Sequence, residues 1–289
     1  MNYSFKAVDY EGLAPMTKVI GDVPFNFCDF TPYVIFTWQK YYDTHYALID
    51  DALVLRHNID GELCYAPLAK DILSVAEKLV SGEESVSLSP LCEADVKKLT
   101  EKYEALSIEC DDAWSDYIYL HSDLAELAGK RYSGQRNHIN KFLQSNPDWS
   151  YEEVNDRNIQ EVFDFYKELT QDVSFSEGTA IYEHRWLEEY FDGGVSKLPL
   201  AGGVIRAGGR ILSLAFGEVI GETLYVHIEK ARRDVQGAYQ MTVREFARHN
   251  PATFINREED MGIEGLRRSK LSYHPTRLER KYKIRIKAK

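Results

Sequence analysis

Apolar and polar positions alternate in short runs across residues 33–66, with breaks at Asp50-Asp51 and at Asp60-Gly61. The second break separates VLRHNI from ELCYAPL by a dipeptide suited to a two-residue hairpin, so an antiparallel meander is expected. Helical spacing follows in 70–79, where 72, 75, 76 and 79 are apolar, and again in 93–103, before a strand at 117–120. The second half opens with the strand WSYEEV. A helix then starts after Asp156 with apolar 159, 162, 163, 166 and 169, and another holds Ile181, Trp186, Leu187, Tyr190 and Phe191. Residues 200–226 read as two strands around Gly208-Gly209 and the start of a third after Gly221-Glu222, followed by a helix with Tyr239, Val243, Phe246 and Ala247 on one side.

The stretch 254–273, FINREEDMGIEGLRRSKLSY, joins an apolar pattern to an unusual density of ionisable groups. A strand at 253–256 runs into Arg257-Glu258-Glu259-Asp260, and period two sets Phe254, Asn256, Glu258 and Asp260 on one face. A helix over 262–273 puts Lys270 on one arc with Ile263, Leu266 and Tyr273. A half-buried ammonium there calls for a carboxylate, and Glu258 or Asp260 could supply it. The alternative is that Lys270 lays its methylenes on the core and carries its amine to water, with the acids forming a solvated loop.

With 289 residues and 44% apolar content, the chain is long enough for one large domain or two ordinary ones. Cys28, Cys64, Cys92 and Cys110 are widely separated with no zinc spacing, which reads as reduced, mostly buried thiols in a cytoplasmic protein and predicts no metal site. The start, MNYSFKAVDYEGLAP, has no apolar core of a leader, and no apolar run approaches the roughly 18 residues of a membrane span.

Net charge is −11, unevenly placed. Residues 267–289 hold ten Lys or Arg against Glu279, about +9, which leaves −20 on the rest. RLERKYKIRIK then reads either as a platform for phosphates or as an edge strand whose cations block pairing. A second basic cluster, Lys130, Arg131, Arg136, His138 and Lys141, lies in a glycine-punctuated segment (122–146) that reads as a linker helix at a domain junction.

Two further constellations carry chemistry. In the strand TLYVHIEKA, Leu224, Val226 and Ile228 alternate with Tyr225, His227 and Glu229, so one face is core and the other ionisable. Glu229 there is a candidate general base, against the alternative of an inert, hydrogen-bonded polar face. The following ARRDVQGAY, a basic loop with one glycine at a helix start, offers Arg232, Arg233 and Gly237 for phosphates, or is a plain strand-to-helix turn.

The order strand, basic glycine loop, helix, strand, helix, basic strand over 223–289 resembles the core of the GNAT acyltransferase fold. The loop departs from the usual pattern, with Asp234 where a basic or amide residue belongs and Tyr239 where a small one belongs, which weighs against ordinary acetyl-CoA use. GKRYSGQRNHINKF (129–142), HIEKA (227–231), GAY (237–239) and FINREEDMGIEGLRRSKLSYHP (254–275) together resemble a bacterial family related to the C-terminal catalytic domain of phosphatidylglycerol lysyltransferase. That family is similar to tandem GNAT-like folds and to Fem-type aminoacyltransferases.

The resemblance implies an α+β chain of two tandem GNAT-like domains, 1–121 and 122–289, each a mixed, mainly antiparallel sheet flanked by helices. It implies an acyl or aminoacyl transferase with the donor carbonyl between splayed strands at 223–230 and 252–258, its oxyanion held by backbone amides. Glu229 takes the acceptor's proton, and His227 or Tyr273 protonates the leaving group. Arg232, Arg233, Gly237 and Tyr239 hold the donor's phosphates. Lys270 with Asn256, Arg257, Glu258 and Asp260 orients donor or acceptor, while Arg136, Asn137 and His138 close the cleft. The donor is an aminoacyl-tRNA or an acyl-CoA, the acceptor an amine or hydroxyl on a small molecule or lipid head group, with no tightly bound cofactor. The other expectation is a GNAT-like binding or regulatory module without chemistry.

Overall fold

The computed structural model describes residues 3–59, 61–170, 180–192, 198 and 200–289; Asp60 and the side chain of Ile181 lie outside them. The strands are β1 (Lys6–Ala7), β2 (His45–Ile49), β3 (Ala52–Ile59), β4 (Glu62–Leu68), β5 (Val86–Leu91), β6 (Glu104–Cys110), β7 (Asp116–Leu120), β8 (Ser150–Glu153), β9 (Ala201–Ala207), β10 (Arg210–Ile220), β11 (Thr223–Ala231), β12 (Phe254–Asn256), β13 (Arg277–Glu279) and β14 (Tyr282–Lys287). The helices are α1 (Tyr10–Asp22), α2 (Pro32–Trp38), α3 (Ile72–Val80), α4 (Glu93–Lys102), α5 (His121–Glu126), α6 (Ser133–Ser145), α7 (Ile159–Thr170), α8 (Ala180–Phe191), α9 (Ala238–His249) and α10 (Glu264–Leu271). No helix among the described residues is long and apolar enough to cross a membrane.

Two compact units result, the first Met1–Asp116, Glu259–Ile263 and Leu278–Lys289, the second Tyr117–Glu258 and Glu264–Arg277. The boundary expected after residue 121 falls at 116, and two later segments belong to the first unit. Each unit is built on a seven-stranded mixed sheet, in the orders β1-β2-β3-β4-β5-β14-β6 and β13-β7-β12-β11-β10-β9-β8.

In the first sheet the expected hairpins form, with Ile49 opposite Ala52 and Ile59 opposite Glu62. Val54, Leu88, Leu99, Ile284 and Ile286 meet in a core closed by α3 and α4. Asp71 caps α3 through the amides of Leu73 and Ser74. The meander does not extend back to residue 33, because Pro32–Trp38 is helical. Pro32 supplies a preset first helical position, and Thr31 Oγ1 accepts from the Val34 amide at 3.3 Å; these local signals override the β-branched content of YVIFTW.

The basic strand β14 is not at an edge. It lies between β5 and β6 in the first unit, so residues 278–289 leave the domain in which they were expected. Its cations meet acids within that unit: Lys283 with Glu62 at 2.6 Å, Lys287 with Glu104 at 3.2 Å, and Arg280 of the preceding loop with Asp112 at 2.9 Å. Arg280, Lys283 and Lys287 of the +9 segment are thus matched locally rather than held out for an anion.

In the second unit β10 pairs antiparallel with β9 and β11, as the Gly208-Gly209 and Gly221-Glu222 turns require. Leu224, Val226 and Ile228 of β11 are buried, while α9 turns Met241, Phe246 and Ala247 inward. β11 and β12 are parallel over three register pairs, from Thr223–Phe254 to Tyr225–Asn256; β12 then ends while β11 runs on to Ala231. That parting of parallel neighbours positions the candidate site.

Candidate active site of the second unit

Where β12 stops, its next residues turn side chains toward β11. Asn256, fully buried, accepts at Oδ1 from the Glu258 amide (2.7 Å) and so supports Glu258 in a left-handed conformation, φ 57°. The turn breaks the expected alternation. Arg257, which period two would place opposite the acids, is 3% exposed and reaches Glu229 of β11 from Nε (3.1 Å) and Nη2 (2.5 Å). Nη2 also donates to the Tyr239 hydroxyl (2.7 Å), which donates in turn to Glu229 Oε2 (3.1 Å).

All three of these bonds to Glu229 fall on Oε2; among the described residues Oε1 has no hydrogen-bond partner. Burial works against the charge of Arg257, but Glu229 and the surrounding phenols outweigh it, and its pKa stands well above the ordinary value. The guanidinium lies among three rings, its carbon 4.9 Å from the centre of Tyr273 and 5.8 Å from those of Tyr119 and Tyr239. Burial pushes all three phenols up, so they remain protonated donors.

His227 sits one inward-facing position before Glu229 in a separate network. Its side chain is fully buried, with Nδ1 2.8 Å from Glu258 Oε1 and Nε2 3.1 Å from Glu218 Oε1. Burial alone would lower its pKa; the two carboxylates overcome this and raise it to about 9. An imidazolium with both N–H groups engaged by carboxylates holds the turn in place.

Lys270 donates from Nζ to the Arg257 carbonyl (2.5 Å) and stands over the Tyr117 ring, and its own carbonyl accepts from the Tyr119 hydroxyl at 2.9 Å. These contacts pin α10 to β7 and to the turn after β12. The apolar arc expected around it is only partly formed. Tyr273 is buried, whereas Ile263 and Leu266 are about half and a third exposed, at 50% and 37%. The helix starts at Glu264, two residues later than expected, and buries none of its own residues. Asp260 accepts from the Gly262 amide at 2.8 Å, and β12 ends at Asn256, before the strand face expected to carry Glu258 and Asp260.

The phosphate loop is not assembled as expected. Arg232 is bidentate to Glu168 (2.8 and 2.7 Å) and stacks on Phe165, and Tyr239 faces Glu229. Gly237 has φ 83°, and a Cβ there would lie 2.3 Å from the His138 carbonyl, so α6 covers the loop at that point. Arg233 alone of the four is exposed. On α6, Arg136 donates to the carbonyls of Leu127 and Gly129, while Asn137 and His138 are exposed. The linker is tied to the end of α10 by Tyr132 Oη to the Tyr273 carbonyl (3.0 Å) and Gln135 Nε2 to the Ser272 carbonyl (2.6 Å).

One ionisable cluster escaped sequence reasoning. In the first unit, buried Lys281 places its ammonium 2.6 Å from Asp29, 2.7 Å from Asp116, 3.5 Å from Glu259 and 3.4 Å from Cys28 Sγ. It stands among the ligand atoms that Cys28, Asp29 and Asp116 would offer a metal. Burial and the neighbouring acids push the Cys28 thiol well up, which keeps it protonated and unreactive. The four cysteines are free, two of them buried. No spacing rule links residues 28, 116, 259 and 281, so only the fold reveals this group.

The mixed sheets flanked by helices give the chain GNAT-like structural neighbours. A GNAT-family acetyltransferase from Colwellia psychrerythraea shares that fold with a TM-score of 0.51 at 8% identity, each chain covered in full (100%). The chain belongs to the family described as phosphatidylglycerol lysyltransferase, C-terminal, whose model matches residues 33–285.

A conserved protein of unknown function from Bacteroides thetaiotaomicron VPI-5482 is 34% identical, with 99% of this chain and 100% of that one covered and a TM-score of 0.90. L-PGS from Bacillus licheniformis is similar in fold alone, at 14% identity, 96% and 92% coverage and a TM-score of 0.64. The same holds for FemX, at 10% identity, 98% and 96% coverage and a TM-score of 0.56. No curated protein matches the chain.

Proposed function

We propose that this chain is an acyl or aminoacyl transferase that passes its group from an activated ester or thioester to an amine or hydroxyl acceptor. The observation that carries this reading is Glu229, with one oxygen saturated by Arg257 and Tyr239 and the other unclaimed, at the point where β11 and β12 part. The three bonds on Oε2 fix the carboxylate's orientation, which leaves Oε1 to take a proton from an attacking nucleophile. The nucleophile's nitrogen or oxygen forms its bond to the acyl carbon, the bond from that carbon to the leaving oxygen or sulfur breaks, and the proton held by Glu229 passes to the leaving atom. Membership in a family described by a lysyltransferase supports an aminoacyl group. The engagement of Arg232, Gly237 and Tyr239 elsewhere favours an aminoacyl-tRNA over an acyl-CoA, whose diphosphate would need that loop.

The test incubates the protein with aminoacyl-tRNAs and, separately, acyl-CoAs, together with small amines, alcohols and lipid head-group acceptors, and detects transferred groups by mass spectrometry. Wild type is expected to transfer from aminoacyl-tRNA, and Glu229→Gln to lose roughly 10²–10⁴-fold in rate with its fold intact. Ligand-induced stabilisation without transfer to any acceptor would replace the enzyme with a binding module.

A further inference from the structure

Arg257 Nη1 and Tyr273 Oη of the second unit are hydrogen-bond donors buried with no hydrogen-bond partner among the described residues. Their residues are 3% and 2% exposed, and the guanidinium carbon lies 4.9 Å from the Tyr273 ring centre. An orphaned buried donor forfeits the hydrogen bond it made to water, so folded proteins seldom keep one, and two on side chains in contact point to a missing acceptor. We propose that Arg257 and Tyr273 form a receptor for one oxygen atom of a carbonyl or carboxylate, covered by α10.

The chemistry narrows the ligand. Both donors have an N–H or O–H to give, so the guest atom must accept. The charge of Arg257 is already balanced by Glu229, which disfavours a multiply charged phosphate and suits an oxygen that is neutral or singly charged. A carbonyl oxygen fits best, because negative charge would develop on it only as a nucleophile adds, and two preorganised donors would then act most strongly. Glu229 Oε1, unclaimed on the same guanidinium-bound carboxylate, stands ready beside it. The identification of the guest as an acyl group rests on the transferase reading; the receptor itself rests on the two orphaned donors. These side chains would replace the backbone amides expected to hold the oxyanion.

The cover lies at the surface. α10 buries none of its own residues, and its ties are polar, among them Lys270 Nζ on the Arg257 carbonyl, the Tyr119 hydroxyl on the Lys270 carbonyl, and Gln135 on the carbonyl of Ser272 just beyond it. Polar ties of this kind exchange with water at little cost, so α10 can lift to admit the guest.

The experiment titrates the full chain with acetate, free L-amino acids and the matching amino alcohols, which lack the carbonyl oxygen. Binding is followed by calorimetry, and exchange of α10 amides by hydrogen–deuterium mass spectrometry. At least one carboxylate is expected to bind and slow exchange across 264–271, while its amino alcohol does not bind. Tyr273→Phe is expected to weaken that binding tenfold or more with an unchanged or higher melting temperature, since it deletes an orphaned donor and keeps the ring. Arg257→Lys, which keeps a cation for Glu229, should bind as weakly.

Equal affinity of wild type and Tyr273→Phe, equal binding of acid and alcohol, or no binding by any probe would overturn the receptor. Transfer activity that survives Tyr273→Phe alongside unchanged binding would remove the receptor and leave the transferase. Carboxylate binding lost in Tyr273→Phe, with no transfer to any acceptor, would remove the transferase and leave the receptor.

Discussion

His227 keeps its positive charge between Glu218 and Glu258, and this makes stability depend on pH in a definite direction. Its pKa rises from an ordinary 6.5 to about 9 on folding. The folded state therefore binds the proton more tightly, so the stabilisation is complete below about pH 6.5 and is lost as pH rises through about 9. The amount at stake is on the order of 3 kcal/mol. Urea unfolding of the wild type from pH 6 to 10 should show this fall, and His227→Gln should flatten it. Lys281 carries a similar load in the first unit. Lys281→Met leaves the fully buried Asp116 without its cation and is expected to cost about 3–5 kcal/mol in chemical denaturation, partly recovered by adding Asp116→Asn.

At this scale the sequence marked Glu229, His227, Lys270 and Tyr273 as residues of interest, because alternation and helical spacing put charges beside apolar positions. Arg257, expected to orient donor or acceptor, proved to be the hub, and nothing in a period-two reading anticipates a left-handed Glu258 that redirects the chain just after it.

Among elements, the most legible were those whose turn chemistry agreed with their periodicity, such as β9 to β11 around their glycine turns and α3 behind Asp71. Those that failed had competing signals. In α2 a threonine cap and a proline outweighed β-branched residues, and in α10 an apparent apolar arc was left in solvent. Gly237 shows how closely elements meet at the start of α9. A side chain there would combine a left-handed backbone with a contact on the His138 carbonyl of α6, so Gly237→Ala is expected to destabilise by on the order of 1–3 kcal/mol, read from its thermal unfolding. The same packing takes the loop away from the phosphate role that a strand–glycine–helix layout suggests.

Over the whole molecule, the α+β class and two sheet-bearing halves were readable from composition and pattern, but the path of the chain was not. The chain leaves the second unit at 258, returns at 264 and leaves again at 277. Local periodicity is blind to such returns, because a strand of alternating Lys and Ile reads the same whichever sheet receives it. The charge asymmetry misled for a related reason. The cations of 278–289 read as a phosphate platform or as guards of a sheet edge, yet for Arg280, Lys281, Lys283 and Lys287 the counterions were already Glu62, Glu104, Asp112, Asp29 and Asp116, all from the first 116 residues.

The place of β14 between β5 and β6 bears on biosynthesis. Among the described residues β6 has no sheet neighbour other than β14, and β14 is made only after all of 117–277. On the ribosome the first-made sheet is therefore the last to be completed. Until β14 arrives, β5 and β6 present open edges to other nascent chains, and the cavity for Lys281 holds uncompensated acid.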